Sequence, residues 1–136
     1  MKVKFTKSHG GRERYFPVKY KKDLIGDCAV RAIAHGTGND YLVVYKDLFE
    51  LAMSKGWMPN SERNYEAYLA DLGWSKHSPL RTSEGKKVRL ENYKCTGTYI
   101  ILTSGHLTCI KDGVLYDTFD ARPWCGNSYY TRIGGE

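Results

Sequence analysis

Hydrophobic positions change period along the chain, and that change predicts its organisation. From Cys28 to His35 the small or apolar residues Ala29, Val30, Ala32, Ile33 and Ala34 are interrupted only by Arg31, which predicts a short buried helix. Gly36-Thr37-Gly38 supplies its C-terminal stop. Asn39-Asp40 offers N-caps for a second helix with the stripe Tyr41, Val44, Tyr45, Leu48, Leu51 and Ala52, ended by Gly56. A third helix is predicted from about Ser61 to Leu72, with Tyr65, Tyr68, Leu69 and Leu72 on one face and Gly73 closing it. Residues 74–97 carry no clear period; Ser83 to Lys87 read as a polar turn, and Val88–Tyr93 as a short strand or a turn of helix.

The final third is β-like. Thr98–Thr103 is rich in β-formers, Ser104-Gly105 breaks it, and His106–Lys111 partly alternates. Asp112-Gly113 is a strong two-residue hairpin signal, after which Val114–Phe119 resumes, and Ser128–Ile133 offers another strand. Helices followed by antiparallel strands predict an α+β fold, helices packed on a C-terminal sheet.

Charge alters the picture at one end. The chain of 136 residues carries a net +6, yet residues 1–22 alone hold +7 and the remainder −1. Two parts are therefore expected: a basic N-terminal arm, 1–22, with an edge strand near Val3–Phe5, and a single domain, 23–136. In the arm, Lys2, Lys4, Lys7, Arg12 and Arg14 interleave with Phe5, Tyr15 and Phe16, a composition suited to phosphate contacts and base stacking. A solvated basic tail, or a strand along the domain edge, is the competing reading. No apolar run reaches the roughly 18–20 residues of a membrane span, and the first residues lack a secretory apolar core. With four cysteines and no C-x-x-C pair, a reduced, cytoplasmic protein without a disulfide framework is expected. Cys28, Cys95, Cys109 and Cys125 lack zinc-type spacing towards the histidines, and no phosphate-binding glycine motif occurs, so no metal or cofactor is called for.

Candidate chemistry begins at Cys28, placed where the first helix starts. The positive end of a helix dipole favours thiolate. The adjacent carboxylate of Asp27 works the other way, and a small buried core residue is the competing reading. A thiol nucleophile needs a base. His9 lies in the arm, His77 in a polar stretch and His35 in a helix's last turn, whereas His106 opens a strand. If Asp112-Gly113 is a two-residue turn, Lys111 faces Val114, Thr108 faces Asp117 and His106 faces Phe119. His106 and Asp117 then become diagonal neighbours on one face, about 7–8 Å apart at the backbone. Asp117 is the expected orienting acid, with Asp120 in reserve; a cross-strand pair serving the sheet alone is the alternative. Arg31, one turn along from Cys28, reads either as a salt-bridge partner for Asp27 or as a substrate contact. Trp57, Trp124, Tyr129 and Tyr130 either line a cleft or pack in the interior.

The runs Gly26-Asp27-Cys28-Ala29-Val30-Arg31-Ala32-Ile33-Ala34, Gly97-Thr98-Tyr99-Ile100, Gly105-His106-Leu107 and Asp112 to Asp120, with Tyr41 and Val44, resemble small papain-like cysteine peptidase-type proteins of bacteriophages and bacteria. The resemblance spans about residues 20–120 and implies a papain-like α+β fold. It implies Cys28 as nucleophile, His106 as general base and acid, Asp117 as orienter, and a peptide or isopeptide bond as target. The expected partner is a peptide or protein substrate, a host protein being one candidate. The papain-type Cys-Gly-Ser-Cys-Trp run is absent, and Lys22 stands where such enzymes often carry an oxyanion-binding glutamine. The backbone N–H of Cys28, with Lys22 or the backbone of Asp23, is then the expected oxyanion hole. The rival expectation is a non-enzymatic binder that engages a host protein or nucleic acid through its basic arm.

Overall fold

The computed structural model describes residues 1–17 and 25–134. Among these residues three α-helices, α1 (Cys28–Thr37), α2 (Tyr41–Lys55) and α3 (Glu62–Asp71), pack on a six-stranded mixed sheet. The strands are β1 (Lys4–Lys7), β2 (Trp74–His77), β3 (Thr98–Leu102), β4 (Leu107–Lys111), β5 (Val114–Asp117) and β6 (Ser128–Arg132). Their order across the sheet is β1-β5-β4-β3-β6-β2, with β1 parallel to β5 and every other pairing antiparallel. The fold is α+β.

Local chemistry explains the helix limits. Asp40 caps α2 by accepting from the Leu42 N–H, and Ser61 caps α3 through the Asn64 N–H. Gly38 and Gly56 take left-handed backbone and end α1 and α2. Leu72, expected on one face with Tyr65, Tyr68 and Leu69, sits at the C-cap of α3 and is exposed, whereas Tyr65, Tyr68 and Leu69 are buried. Asp27 occupies the N-cap position of α1, but its side chain makes no capping bond, because the carboxylate is committed elsewhere.

Alternation along the central strands divides the interior in two. Ile100, Leu107 and Cys109 face the helices, alongside Ala29, Ile33, Val44, Leu48 and Leu69. Ile101, Ile110 and Leu115 face the other way, under Val3, Leu90, Tyr93 and Ala121. Both faces of the sheet are therefore covered. The small residues of α1 let it lie close on the sheet: a Cβ at Gly36 would stand 2.6 Å from Ile100 side-chain atoms. At the β4–β5 turn, Asp112 and Gly113 both have positive φ, 48° and 81°, as a type I′ hairpin requires. The resulting register pairs Lys111 with Val114 and Ile110 with Leu115, the expected alignment. The β5 ladder stops at Asp117 rather than Phe119, and His106 lies one residue ahead of β4.

Residues 1–17 of the segment expected as an arm pack on the domain, in line with the competing reading of a strand along its edge. β1 is the sheet's edge strand, Val3 is fully buried, and the Ser8 N–H bonds the Asp117 carbonyl. Arg12 is drawn inward, 3.7 Å from Asp27, bonded to the Tyr41 hydroxyl and stacked over Phe16. Arg12 is thus a structural cation rather than an exposed nucleic-acid contact. Lys2, Lys4 and Lys7 remain exposed, and Arg14 lies 3.6 Å from Asp40. Lys22 and Asp23, named for the oxyanion hole, lie outside the described residues. β2 was not foreseen; the stretch 88–93 forms a 3-10 turn at Leu90–Asn92. Among the described residues, no helix is long and apolar enough to cross a membrane.

Candidate active site

Three elements converge at one end of the sheet. α1 supplies Cys28 at its first position, the β3–β4 turn supplies His106, and the last residue of β5 is Asp117. The turn is held tightly. Both the backbone N–H and the hydroxyl of Thr103 donate to the His106 carbonyl, at 2.8 and 3.0 Å, with Gly105 at φ 71°. This places the imidazole so that its Nε2 lies 2.6 Å from Oδ2 of Asp117. Nδ1 is the ring nitrogen not engaged by Asp117, and the Cys28 thiol and the imidazole lie close enough to shift each other's ionisation. Cys28 and His106 both line an open groove of about 800 Å³.

The electrostatics favour a separated pair of charges. Burial pushes the Cys28 thiol up, but the His106 hydrogen bond, the Leu107 N–H and the charges of His106 and Arg31 outweigh it, and the thiol is held below its usual range. Burial pulls His106 down; its bonds to Asp117 and Cys28 reverse this and raise it to about 9. Burial raises Asp117, yet the bond to His106 and the Thr118 N–H, 2.7 Å from Oδ1, leave it below the ordinary carboxylate range. Each group stabilises the charge of the next. Cys109, buried in the helix-facing core, is the contrast: with no such partner its thiol is pushed up to about 12.

Aromatic residues flank the imidazole. Phe119 lies 4.8 Å from it, centroid to centroid, and Trp124 stands edge-on at 6.1 Å. They limit water around the His106–Asp117 bond, where a lower local dielectric strengthens it. Trp124 stays partly exposed, so among the aromatics left open by the sequence it belongs to the site's rim, whereas Tyr130 is buried.

The other candidates are engaged with different partners, although His77 lines the same groove. Asp120, the reserve acid, is exposed and forms a fork with Arg122 at 2.8 to 3.1 Å. His35 bonds Ser8 and stacks on Tyr116; His77 bonds Thr131. Asp27 does not oppose the thiolate, because Arg31 and Tyr41 bond its carboxylate and Arg12 lies nearby. Arg31 itself is buried, so it is a salt-bridge residue and not a substrate contact.

One polar residue at the groove is not legible in the sequence. Asn60, in the loop before α3, lines the same cavity as Cys28, with its Nδ2 3.5 Å from the carbonyl of Gly26. That loop is pinned from beneath by the fully buried Asn64, whose Nδ2 donates to the carbonyls of Pro59 and Leu48. The only sequence signal is an Asn preceding a Ser cap, which occurs in any loop. No family model, no curated protein and no solved structure matches this chain.

Proposed function

We propose that the protein is a papain-like thiol hydrolase acting on a peptide or isopeptide bond. One observation carries the reading: Cys28 lines the same open groove as a His106 bonded to Asp117, and thiol and imidazole each shift the other's ionisation. The Cys-His-Asp order along the chain, and a nucleophile-bearing helix packed on a mixed sheet whose central strands are antiparallel, support the papain-like assignment. The thiolate of Cys28 attacks the carbonyl carbon, and the imidazolium of His106 delivers its proton to the departing amine. Neutral His106 then takes a proton from water, whose oxygen attacks the acyl-enzyme and releases the acid. Asp117 holds the ring orientation and compensates its positive charge.

The oxyanion needs donors beside the sulfur. The Cys28 N–H stands at the uncapped start of α1, and the Asn60 amide is a side-chain donor lining the same groove. Its bond to Gly26 is long, so little is lost when it turns to the developing charge. Asn60→Ala is expected to lower kcat by about 10²-fold with KM little changed, the usual effect of deleting one oxyanion donor. A larger rise in KM than fall in kcat would assign Asn60 to substrate binding instead.

The direct test is turnover of a fluorogenic peptide library, with Cys28→Ala as control. Cleavage dependent on Cys28 supports the proposal. Binding of protein or nucleic acid by residues 1–17, unaffected by Cys28→Ala and lost steeply with salt, with no turnover, contradicts it. The active form pairs thiolate with imidazolium, so kcat/KM against pH should be bell-shaped. Its acid limb lies below the ordinary thiol range, where Cys28 regains a proton, and its alkaline limb near 9, where His106 loses one.

A further inference from the structure

Cys28 and Asp117 come from different elements, and a single buried cation touches the machinery of both. Arg31 lies one turn along α1 from Cys28, and its side chain is 4% exposed. Its Nη1 bonds Oδ1 of Asp27 at the head of the same helix. Its Nη2 stands 3.5 Å from Oδ1 of Asp117, the oxygen not used by His106. Asp27 is further held by the Tyr41 hydroxyl at 2.6 Å and by Arg12 at 3.7 Å.

We propose that Arg31 is a positioning residue for the thiol–imidazole pair, its guanidinium fastening the helix that carries Cys28 to the strand end that carries Asp117. This rests on the hydrolase reading above and assigns the residue that keeps its three members in register. The planar fork suits the task, since one guanidinium can face two carboxylates in fixed directions and an ammonium cannot. Burial of two carboxylates side by side would otherwise set like charges against each other. A merely stabilising role is a poor account of the arrangement, because buried ion pairs seldom outperform well-packed apolar residues of similar volume.

Among the described residues, the charged and titratable groups that act on the sulfur or feel it are His106 from the β3–β4 turn, Arg31 from α1 and Tyr65 from α3. Those facing Asp117 are His106, Arg31 and, from α1, His35, with Cys109 nearby on β4. Arg31 is the cation common to both sets besides His106 itself.

The test is the rate of Cys28 alkylation by iodoacetamide against pH, read by mass spectrometry, in wild type, Arg31→Met and Arg31→Lys. In Arg31→Met each carboxylate keeps other partners, so the chain should still fold. Its Cys28 limb should move to higher pH, with alkylation at pH 6 reduced about 3- to 10-fold. Arg31→Lys, which restores charge without the fork, should recover only part of that loss. An unchanged limb in a folded Arg31→Met, beside an acid-shifted wild type, overturns the positioning role and leaves the hydrolase reading standing. A wild type with an ordinary thiol limb overturns both. If Arg31→Met does not fold, the guanidinium ¹⁵N resonances of Arg31 in wild type decide: they should shift at the pH where Cys28 ionises, and resonances that ignore that transition overturn the proposal.

Discussion

Cys28→Ala is expected to abolish turnover of any peptide the wild type cleaves, a fall of about 10⁴- to 10⁶-fold in kcat, while leaving the fold in place. The size follows from the mechanism. Among the described residues no second cysteine can replace Cys28 in the groove, since Cys95 and Cys125 are outside it and Cys109 is buried. Residual rate would come from binding and oxyanion donors alone. The stability cost should be small, because Cys28 is only partly buried at a helix start, where alanine is tolerated. A melting curve close to wild type alongside lost turnover is the expected pair of results; cleavage that persists in the purified variant would contradict the assignment.

Asp117→Asn should cost about 10⁴-fold in kcat, out of proportion to the change in shape. Oδ2 of Asp117 accepts from Nε2 of His106, which leaves Nδ1 as the nitrogen for proton exchange with the sulfur. A carboxamide oriented by the Thr118 N–H through its oxygen presents an NH₂ to that ring nitrogen, which favours the other tautomer and leaves Nδ1 protonated. The aspartate's hydrogen bond and charge also hold His106 high, so the alkaline limb of kcat/KM should fall below 9. Rate and limb are read from one pH series. A variant with a normal limb and a loss of tenfold or less would reduce Asp117 to a sheet residue.

Short-range signals made much of this legible. Asp112-Gly113 alone set the β4–β5 register, and with it the proximity of His106 to Asp117, because a two-residue turn leaves one alignment. Helix caps at Asp40 and Ser61 and stops at Gly38 and Gly56 were equally local. What escaped was long-range. β1 pairs with β5 across more than a hundred residues, and no periodicity near Lys4 announces that partner. β2 is four residues of Trp-Ser-Lys-His, too short and polar to stand out until β6 completes it. The links of Arg12 to Asp27 and Arg31 to Asp117, and the entry of Asn60 into the groove, exist only once the helices dock.

The account depends on Cys28 and His106 sharing a proton as a thiolate–imidazolium pair. Iodoacetamide labelling of Cys28 at pH 6, quantified peptide by peptide in wild type and His106→Ala, tests this most directly. Loss of the imidazolium returns the thiol to its protonated form, so labelling should slow roughly tenfold or more while Cys95 and Cys125 keep their rates. Equal rates at Cys28 in the two proteins would show that the sulfur is not activated by His106, and would contradict the account.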